Sequence, residues 1–459
     1  MNDTTIKELA FATGGEIISG NENAVFSNIV IDSRQADKDS LFVPLVGEKN
    51  DAHKFLESVY DMGCRVAISS KRDIFLKDDF NIVLVNDTTE ALQKLGKYIR
   101  SKLTLPLVGV TGSVGKTTTR EMVALALSDL KVFKTPNNFN SQVGVPITLS
   151  RINDEEIGVI ELGMSQFGEM ERIAKIVNCD CALVTNIGTA HIENLHTREN
   201  IRAEKFHIMD GMKSGSVVFL NADNDMLFDP PKEKGIEYKY FSAKGNTSCD
   251  YYATDIVFNN AMPEFTAHIG EKKVRVHLNV FGEHQISNAL AAIAVANHYN
   301  LSVESAAKHL EEFRGFSHRQ ELIKLKELTV IDDTYNASPD SMKASISILK
   351  DFNAQRKIAI LADMKELGTD ERILHREIGD FINENVKLDA VFTVGELAKE
   401  IIKDINKDIY TKSFEDNESL EKFISGYLDA GDVCLLKGSN SMRLFDVVDK
   451  IKNYERFIR

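Results

Sequence analysis

The chain has 459 residues and a formal net charge of -14, with 43% hydrophobic and 27% charged residues. At about 150 residues per domain, this length predicts three domains, and the composition is that of a globular protein. The acidic balance argues against a general nucleic-acid binder, because neutralising a phosphate backbone requires a basic surface. A small anionic substrate needs only one basic pocket and is not excluded.

The cysteines and the N-terminal segment indicate in which cellular compartment the protein is found. The five cysteines contain no CxxC pair and are odd in number, which is typical of free thiols in a reducing compartment. The first residues lack a basic region followed by an apolar run, so no signal peptide is predicted. No stretch reaches the ~18 apolar residues of a membrane span. We therefore expect a cytoplasmic protein without membrane insertion. Nothing in the sequence demands an oligomer, so a monomer is expected.

Short apolar runs rich in β-branched residues alternate with amphipathic stretches such as 117–130. Strands separated by helices indicate parallel sheets with right-handed crossovers, and hence an α/β fold. A helical run is predicted at 286–313. The predicted domains are 1–102, 103–320 and 321–459. The predicted strands are 103–110, 156–162, 181–187, 216–221, 328–333, 356–363, 388–394 and 431–438.

The segment GVTGSVGKTTTR, residues 109–120, follows an apolar strand and opens a predicted helix. This is the context of a P-loop, whose backbone N–H groups face phosphate oxygens. Lys116 is expected to reach the outer phosphates and Thr117 to offer its hydroxyl to Mg²⁺. The spacing is one residue longer than in GxxxxGK[ST]. The alternative is a glycine-rich turn with a solvated lysine, but the coincidence of glycines, lysine and hydroxyls favours a nucleotide site.

Two further residues follow predicted strands. Glu161 ends the run EIGVIEL, and His191 lies shortly after CALVTNI. In an open parallel sheet the carboxyl ends of the strands line the ligand crevice, and a carboxylate there can hold Mg²⁺ against phosphates. A lone histidine is more often structural or at the surface than a ligand. His191 is therefore the weaker of these two candidates when each is considered alone.

The chain resembles the Mur ligase family, the ATP-dependent amide ligases of peptidoglycan precursor synthesis, over almost its whole length. The matching segments, in order, are TGSVGKTTT, Glu161, TNIGTAHIEN with His191, EHQISNALAAIAVA with Asn288, and HRQE with Arg319. The resemblance implies a central P-loop ATPase domain with a parallel sheet, a smaller α/β N-terminal domain and a Rossmann-like C-terminal domain. It implies an acyl-phosphate mechanism that uses ATP and two Mg²⁺ ions.

The resemblance also assigns roles to individual positions. The implied catalytic residues are Lys116, Glu161, His191 and Lys205. The implied metal ligands are Thr117, Glu161, His191 and Lys205 as a carbamate. The implied ATP-binding residues are Thr111, Gly112, Ser113, Val114, Gly115, Lys116, Thr117, Thr118, Asn288, Arg319 and Asp333.

Lys205 lies in IRAEKFHIMDGM, fourteen residues after His191. From the residues alone, a surface lysine paired with Glu204 on a helix is the better interpretation. The resemblance instead implies that Lys205 is carbamylated. Carbamylation turns a cation into an anionic oxygen ligand that suits Mg²⁺.

The segments 135–149, 331–342, 361–368 and 437–444 most resemble the family members that add D-alanyl-D-alanine to UDP-N-acetylmuramoyl-tripeptide. The DNPR motif of the sister ligase that adds the third amino acid is absent. The resemblance implies that the C-terminal domain binds the dipeptide, with Asn336 and Arg443 as contacts. The alternative for Arg443 is a simple pair with Asp446. Both meso-diaminopimelate and lysine are compatible with the sequence as the third residue of the acceptor.

The N-terminal segment 30–55 resembles the UDP-sugar segment of the family. Five positions match it: Ser33, Arg34, Gly47, Asp51 and His53. A solvated Arg34 is the alternative. The chain departs from the family pattern at Ala52, Asn137, Ser141, Gln285 and His318, of which Ala52, Asn137 and His318 replace glycines.

Two other functional classes are weighed against this ligase. One is a different enzyme, either a P-loop kinase or a relative such as folylpolyglutamate synthetase, which shares the central ATPase core. The UDP-sugar-like N-terminal segment argues against the latter. A non-catalytic ATP-binding partner has no use for Glu161, His191 and Lys205 together. ADP release that depends on an added amine distinguishes these classes.

Overall fold

The computed structural model describes residues 3–47, 50–233, 235–259 and 261–454. Three large sheets of five, nine and six strands follow one another along the chain, together with a two-stranded ribbon. This is the α/β architecture that the sequence predicts. No helix in the described part of the chain is long and apolar enough to cross a membrane.

The first sheet has the order β2-β7-β6-β5-β4 and is parallel except for β2, which runs antiparallel to β7. Helix α1 begins at a capping box between Thr5 and Glu8 and ends at Gly14, whose φ is 70°, as expected for helix termini. The elements are β1 Thr4–Thr5, α1 Ile6–Thr13, β2 Glu16–Ser19, β3 Val25–Phe26, β4 Asn28–Val30, β5 Ser40–Phe42, α2 Leu56–Asp61, β6 Val66–Ser69, β7 Asn81–Leu84 and α3 Thr88–Lys102.

The central sheet has the order β16-β15-β14-β13-β12-β11-β8-β10-β9. Strands β8 to β14 are parallel to one another. Strands β14, β15 and β16 form an antiparallel meander at one edge of the sheet. The elements are β8 Leu107–Thr111, α4 Lys116–Ala126, β9 Val132–Lys134, α5 Gly144–Ser150, β10 Ile157–Glu161, α6 Glu169–Val177, β11 Cys181–Val184, α7 Ile192–Leu195, α8 Arg198–Phe206, β12 Val217–Asn221, β13 Glu237–Ser242, β14 Tyr251–Asn259, β15 Met262–Ile269, β16 Lys272–His277, α9 His284–His298 and α10 Val303–Leu310.

The helical run predicted at 286–313 consists of two helices, because α9 ends at His298 and Ser302 caps a new helix by accepting a hydrogen bond from the N–H of Ser305. A serine in this position satisfies a free N–H of the first turn and so favours a helix start.

The C-terminal sheet has the order β17-β18-β22-β19-β20-β21, with β17 as an antiparallel edge strand. Apolar clusters cover both of its faces, as a parallel sheet requires. The elements are β17 Glu321–Lys324, β18 Thr329–Asp333, α11 Pro339–Ile348, β19 Arg356–Ala362, α12 Glu371–Asn385, β20 Ala390–Val394, β21 Tyr410–Phe414, α13 Asn417–Tyr427, β22 Asp432–Lys437 and α14 Leu444–Lys452.

The hydrophobic clusters connect the first and central sheets more closely than the central and C-terminal sheets. One cluster runs without a break from the first sheet through α3 and α5 into the central sheet. The clusters of the C-terminal sheet are largely its own. Continuous burial of apolar surface resists separation, so the least restrained boundary in the molecule is that between the central and C-terminal sheets.

Candidate functional site

The turn between β8 and α4 has the backbone geometry of a phosphate cradle. A Cβ atom on Gly112 would lie 1.9 Å from Oγ1 of Thr185, and Gly115 adopts a φ of 83°, so both positions require glycine. Helix α4 begins at Lys116, whose Nζ donates to the carbonyl of Gly112 at 2.9 Å. Burial lowers the pKa of Lys116, while the nearby Glu161 opposes this shift. A lysine held over a helix N-terminus is suited to binding phosphate.

Glu161 ends β10, next to β8 in the sheet, and its side chain is buried. Its two oxygens have different partners. Oε2 accepts from Arg120 at 3.2 Å, whereas Oε1 accepts from Asn140 at 2.7 Å and lies 3.3 Å from the hydroxyl oxygen of Thr117. Neighbouring oxygens around an octahedral Mg²⁺ are about 3 Å apart, since each metal–oxygen distance is about 2.1 Å. Oε1 and the Thr117 hydroxyl therefore fit one magnesium ion.

His191 follows β11 with a left-handed φ of 64°. Its Nδ1 lies 2.9 Å from Oε2 of Glu366, which belongs to the C-terminal domain. Burial lowers the pKa of His191, the charges of Lys116 and Lys205 act in the same direction, and Glu366 opposes them. The lowered pKa favours the neutral imidazole, the form that binds metals.

Lys205 lies on α8 and is 1% exposed. The interpretation of Lys205 as a surface lysine is therefore wrong. Burial lowers the pKa of its amine well below the usual value, and the charge of Lys116 lowers it further, while Glu204 opposes both effects. Glu204 itself accepts a hydrogen bond from the N–H of Met170. A buried amine with a lowered pKa is more often neutral, and only a neutral amine can react with CO₂.

A cleft of about 1110 Å³ lies between the central and C-terminal sheets. Thr111 and Gly112 are not among the residues that line it, and the hydroxyl of Thr111 donates to the carbonyl of Leu162. Lys205 does not line it either. The predicted site residues that do line it are Ser113, Val114, Gly115, Lys116, Thr117, Thr118, Glu161, His191, Asn288, Arg319, Asp333 and Asn336.

The far wall of the cleft is built from α9 and from the segment that joins the central and C-terminal sheets. Asn288 accepts a hydrogen bond from the hydroxyl of Thr119 at 3.0 Å, which ties α9 to the helix of the P-loop. The guanidinium of Arg319 stacks on the ring of Tyr335, 3.8 Å from its centroid. Stacking leaves the edge of the guanidinium able to donate to phosphate oxygens.

The two predicted dipeptide contacts have different positions. Asn336 lines the cleft and is exposed. Arg443 is not among the lining residues, and its guanidinium makes a bidentate pair with Asp446 at 2.8 and 3.1 Å. In this structure Arg443 therefore pairs with Asp446 and does not face the cleft.

The predicted UDP-binding residues lie outside the cleft, on the N-terminal domain. Asp51 accepts from Nδ1 of His53 at 2.6 Å and from Lys71, which holds the pKa of Asp51 well below its usual range. His53 accepts at Nε2 from the N–H of Ser70. Arg34 is 87% exposed on its side chain and pairs with Asp32. Ser33 starts a short 3-10 helix, and Gly47 lies between Val46 and Asp51, which form an isolated bridge.

Sequence reasoning missed several residues that shape the cleft. Arg120 was visible as the last residue of the P-loop segment, yet only the fold shows that it holds Glu161. Tyr335, Glu366 and Lys437 lie on segments far from the P-loop in sequence. The contacts of Tyr335 with Arg319 and of Glu366 with His191 arise where the C-terminal and central domains meet. Lys437 instead pairs with Asp333 within the C-terminal sheet, and no local sequence pattern indicates any of these contacts.

Comparison with known proteins gives two family models that match the chain. The Mur ligase middle domain matches residues 110–296, and the Mur ligase, glutamate ligase domain matches residues 318–440. The UDP-N-acetylmuramoyl-tripeptide--D-alanyl-D-alanine ligase of Bacillus subtilis is 33% identical over 453 residues, 97% of each chain. Its counterpart from Haemophilus influenzae is 33% identical over 444 residues, 95% of each chain.

Comparison with solved structures also finds Mur ligases. A MurF from Acinetobacter baumannii superposes with a TM-score of 0.91 at 30% identity, covering 98% of this chain and 99% of that chain. The MurF ligase of Thermotoga maritima in complex with ADP has a TM-score of 0.82 at 28% identity, covering 93% and 97%. A folylpolyglutamate synthase of Mycobacterium tuberculosis shares the fold alone, with 14% identity and a TM-score of 0.63.

Proposed function

The chain belongs to the Mur ligase family, and from that premise we propose that it ligates D-alanyl-D-alanine to UDP-N-acetylmuramoyl-tripeptide, forming ADP and phosphate. The product is the UDP-MurNAc-pentapeptide of peptidoglycan synthesis. The similarity to ligases of this activity over nearly the whole chain carries the proposal. We place the enzyme in the cytoplasm as a monomer.

The chemistry starts from a carboxylate, which is a poor electrophile. Transfer of the γ-phosphoryl group of ATP to a carboxylate oxygen of the tripeptide gives an acyl phosphate and ADP. Lys116, the P-loop N–H groups and Arg319 offset the repulsion between the approaching anions. The neutral amine of the dipeptide then attacks the acyl carbon, and phosphate leaves from the tetrahedral intermediate.

The donor set of the cleft fits one divalent cation, and we propose a second beside His191. The Thr117 hydroxyl and Oε1 of Glu161 lie side by side, and Arg120 keeps the other oxygen of Glu161 occupied. His191 and a carbamylated Lys205 would supply the ligands of the second ion. When bound, Mg²⁺ neutralises charge on the transferring phosphoryl group. The burial of Lys205 supports its modification, because an unmodified ammonium is costly in that position.

The two remaining substrates have separate locations in this proposal. The UDP-sugar end of the acceptor binds the N-terminal domain near Ser33, Arg34, Gly47, Asp51 and His53, and its peptide reaches the cleft. The C-terminal domain presents the dipeptide beside Asn336, with Arg443 available only if it exchanges Asp446 for the substrate carboxylate. Substrates held on different domains react only after closure.

A product assay tests this function. Purified protein is incubated with ATP, Mg²⁺ and UDP-MurNAc-tripeptide, together with D-alanyl-D-alanine, D-alanine, meso-diaminopimelate or lysine. We expect pentapeptide product by mass spectrometry and equimolar ADP only with the dipeptide. Ligation of a single amino acid would identify a sister ligase instead. ADP release without an added amine would favour a kinase or a non-catalytic ATPase.

A further inference from the structure

Among the described residues, the loop after β11 and helix α7 that follows it meet the C-terminal domain at three points. Nδ1 of His191 lies 2.9 Å from Oε2 of Glu366, and the N–H of Thr189 donates to Oδ2 of Asp340 at 3.2 Å. At the third point the backbones nearly touch, because a Cβ on Gly368 would lie 3.3 Å from Cα of Glu193. These contacts cross the boundary at which the apolar cores are least continuous.

Both partners of the first contact adopt unusual backbone conformations. His191 has a φ of 64° and Glu366 a φ of 63°. Histidine adopts a left-handed conformation more readily than most residues, whereas for glutamate this conformation is unfavourable and persists only where the surroundings favour it. Here it turns the two side chains toward each other across the cleft, since both residues line it.

Overall stability does not explain this pair. The side chain of Glu366 is 60% exposed, and exposed ion pairs contribute little to folding. A weak contact is, however, suited to an interface that opens and closes in every turnover. The pair is better explained by its effect on the imidazole ring of His191.

An imidazole that donates from Nδ1 to a carboxylate keeps its lone pair on Nε2 and has its ring plane fixed. We infer that Glu366 is a positioning residue, which reaches His191 only when the C-terminal domain closes and so sets the Nε2 lone pair for the second cation. This inference rests on the proposed function. It makes assembly of the metal site depend on arrival of the domain that carries the amine.

Three variants test the inference through kinetics. Glu366→Ala removes the acceptor, Glu366→Gln keeps an acceptor oxygen without charge, and Glu384→Gln on the exposed side of α12 is the control. We expect kcat to fall about tenfold to 100-fold in Glu366→Ala, the usual cost of losing such a partner, with the KM for ATP little changed. Glu366→Gln should retain most of kcat. A kcat of Glu366→Ala equal to that of the control Glu384→Gln would overturn the inference. It would also be overturned if Glu366→Gln lost as much activity as His191→Ala, because Glu366 would then be a metal ligand itself.

The tautomer of His191 gives a readout that does not depend on activity. Protein labelled with ¹⁵N-histidine is examined by NMR with a non-hydrolysable ATP analogue and UDP-MurNAc-tripeptide, and His191 is assigned from its loss in His191→Gln. We expect the Nδ1–H tautomer in the unmodified protein and in Glu366→Gln, and its loss in Glu366→Ala. An unchanged tautomer in Glu366→Ala would contradict the inference. The product assay tests the proposed function separately from this inference, since pentapeptide can form whether or not Glu366 orients the ring of His191.

Discussion

Lys437 and Asp333 are register partners on the adjacent parallel strands β22 and β18, and they form a buried ion pair with Nζ 2.6 Å from Oδ2. The same carboxylate accepts from the hydroxyl of Ser345, and Nζ also donates to the carbonyl of Asn336. The pair thus anchors the segment that carries Asn336 at the edge of the cleft.

Lys437→Met should destabilise the C-terminal domain, because it leaves the Asp333 carboxylate buried without a counter-charge. Removing one partner of a buried pair costs about 3–5 kcal/mol. Urea unfolding monitored by circular dichroism measures the change. The double variant Lys437→Met/Asp333→Asn should recover much of the loss, and a double variant as unstable as the single one would contradict this explanation.

The sequence predicts the inner strands of the central and C-terminal sheets well, since their apolar runs are continuous, but none of the predicted strands lies in the first sheet. Runs 156–162 and 431–438 correspond to β10 Ile157–Glu161 and β22 Asp432–Lys437. The meander β14 to β16 was missed because its residues alternate between buried and exposed, without a continuous apolar run.

Two departures from the family pattern prove to be compatible with the fold. Asn137 and His318 stand where the family has glycine, and they adopt φ angles of 48° and 63°. Asparagine and histidine are among the non-glycine residues most often found in that region. The local motifs therefore predict the cleft in outline, whereas contacts such as His191–Glu366 depend on how two domains meet.

Lys116→Ala should abolish ligation while leaving the fold intact. Its amine contacts only backbone carbonyls of the P-loop among the hydrogen bonds in the described structure, so its loss leaves no buried partner charge. Steady-state ADP release and the melting temperature are measured together. The exposed Lys131→Ala in the same domain is the control, and near-normal turnover in Lys116→Ala would remove Lys116 from the phosphate site.

Arg443 and Asp446 allow the proposed dipeptide contact to be tested from both sides. Asp446→Asn should release the guanidinium and lower the KM for D-alanyl-D-alanine a few-fold, while Arg443→Lys should raise it, because a lysine cannot bind a carboxylate bidentately. The KM for ATP should stay constant in both. Unchanged dipeptide KM values in both variants would place Arg443 outside the site.

Glu400 should contribute to the acid sensitivity of the C-terminal domain. A hydrogen bond from Lys403, supported by those from Arg376 and Arg372, lowers the pKa of Glu400 from 4.5 to about 2. Its contribution to stability is therefore present above pH 4.5 and is lost as the pH falls through about 2. Glu400→Gln should be less stable at neutral pH and should lose less stability between pH 4.5 and 2. Parallel stability curves for the two proteins would exclude this role.

Carbamylation of Lys205 can be observed directly. Protein equilibrated with ¹³C-bicarbonate should show a carbamate carbon resonance that is absent in Lys205→Arg. Activity should fall at low pH, where the carbamate is protonated and releases CO₂, and should return when bicarbonate is added at neutral pH. Active protein that shows no such resonance and is insensitive to CO₂ removal would contradict the modification.

In the proposed carbamylated enzyme, the near-complete burial of Lys205 should also make activity depend on the history of each molecule. CO₂ reaches the amine only during folding or through transient opening of the surrounding helices. Protein refolded without CO₂ should then be native by spectroscopy yet inactive. After bicarbonate is supplied, activity should appear with a lag set by local opening, so that two samples with identical structure and concentration differ in rate according to their age.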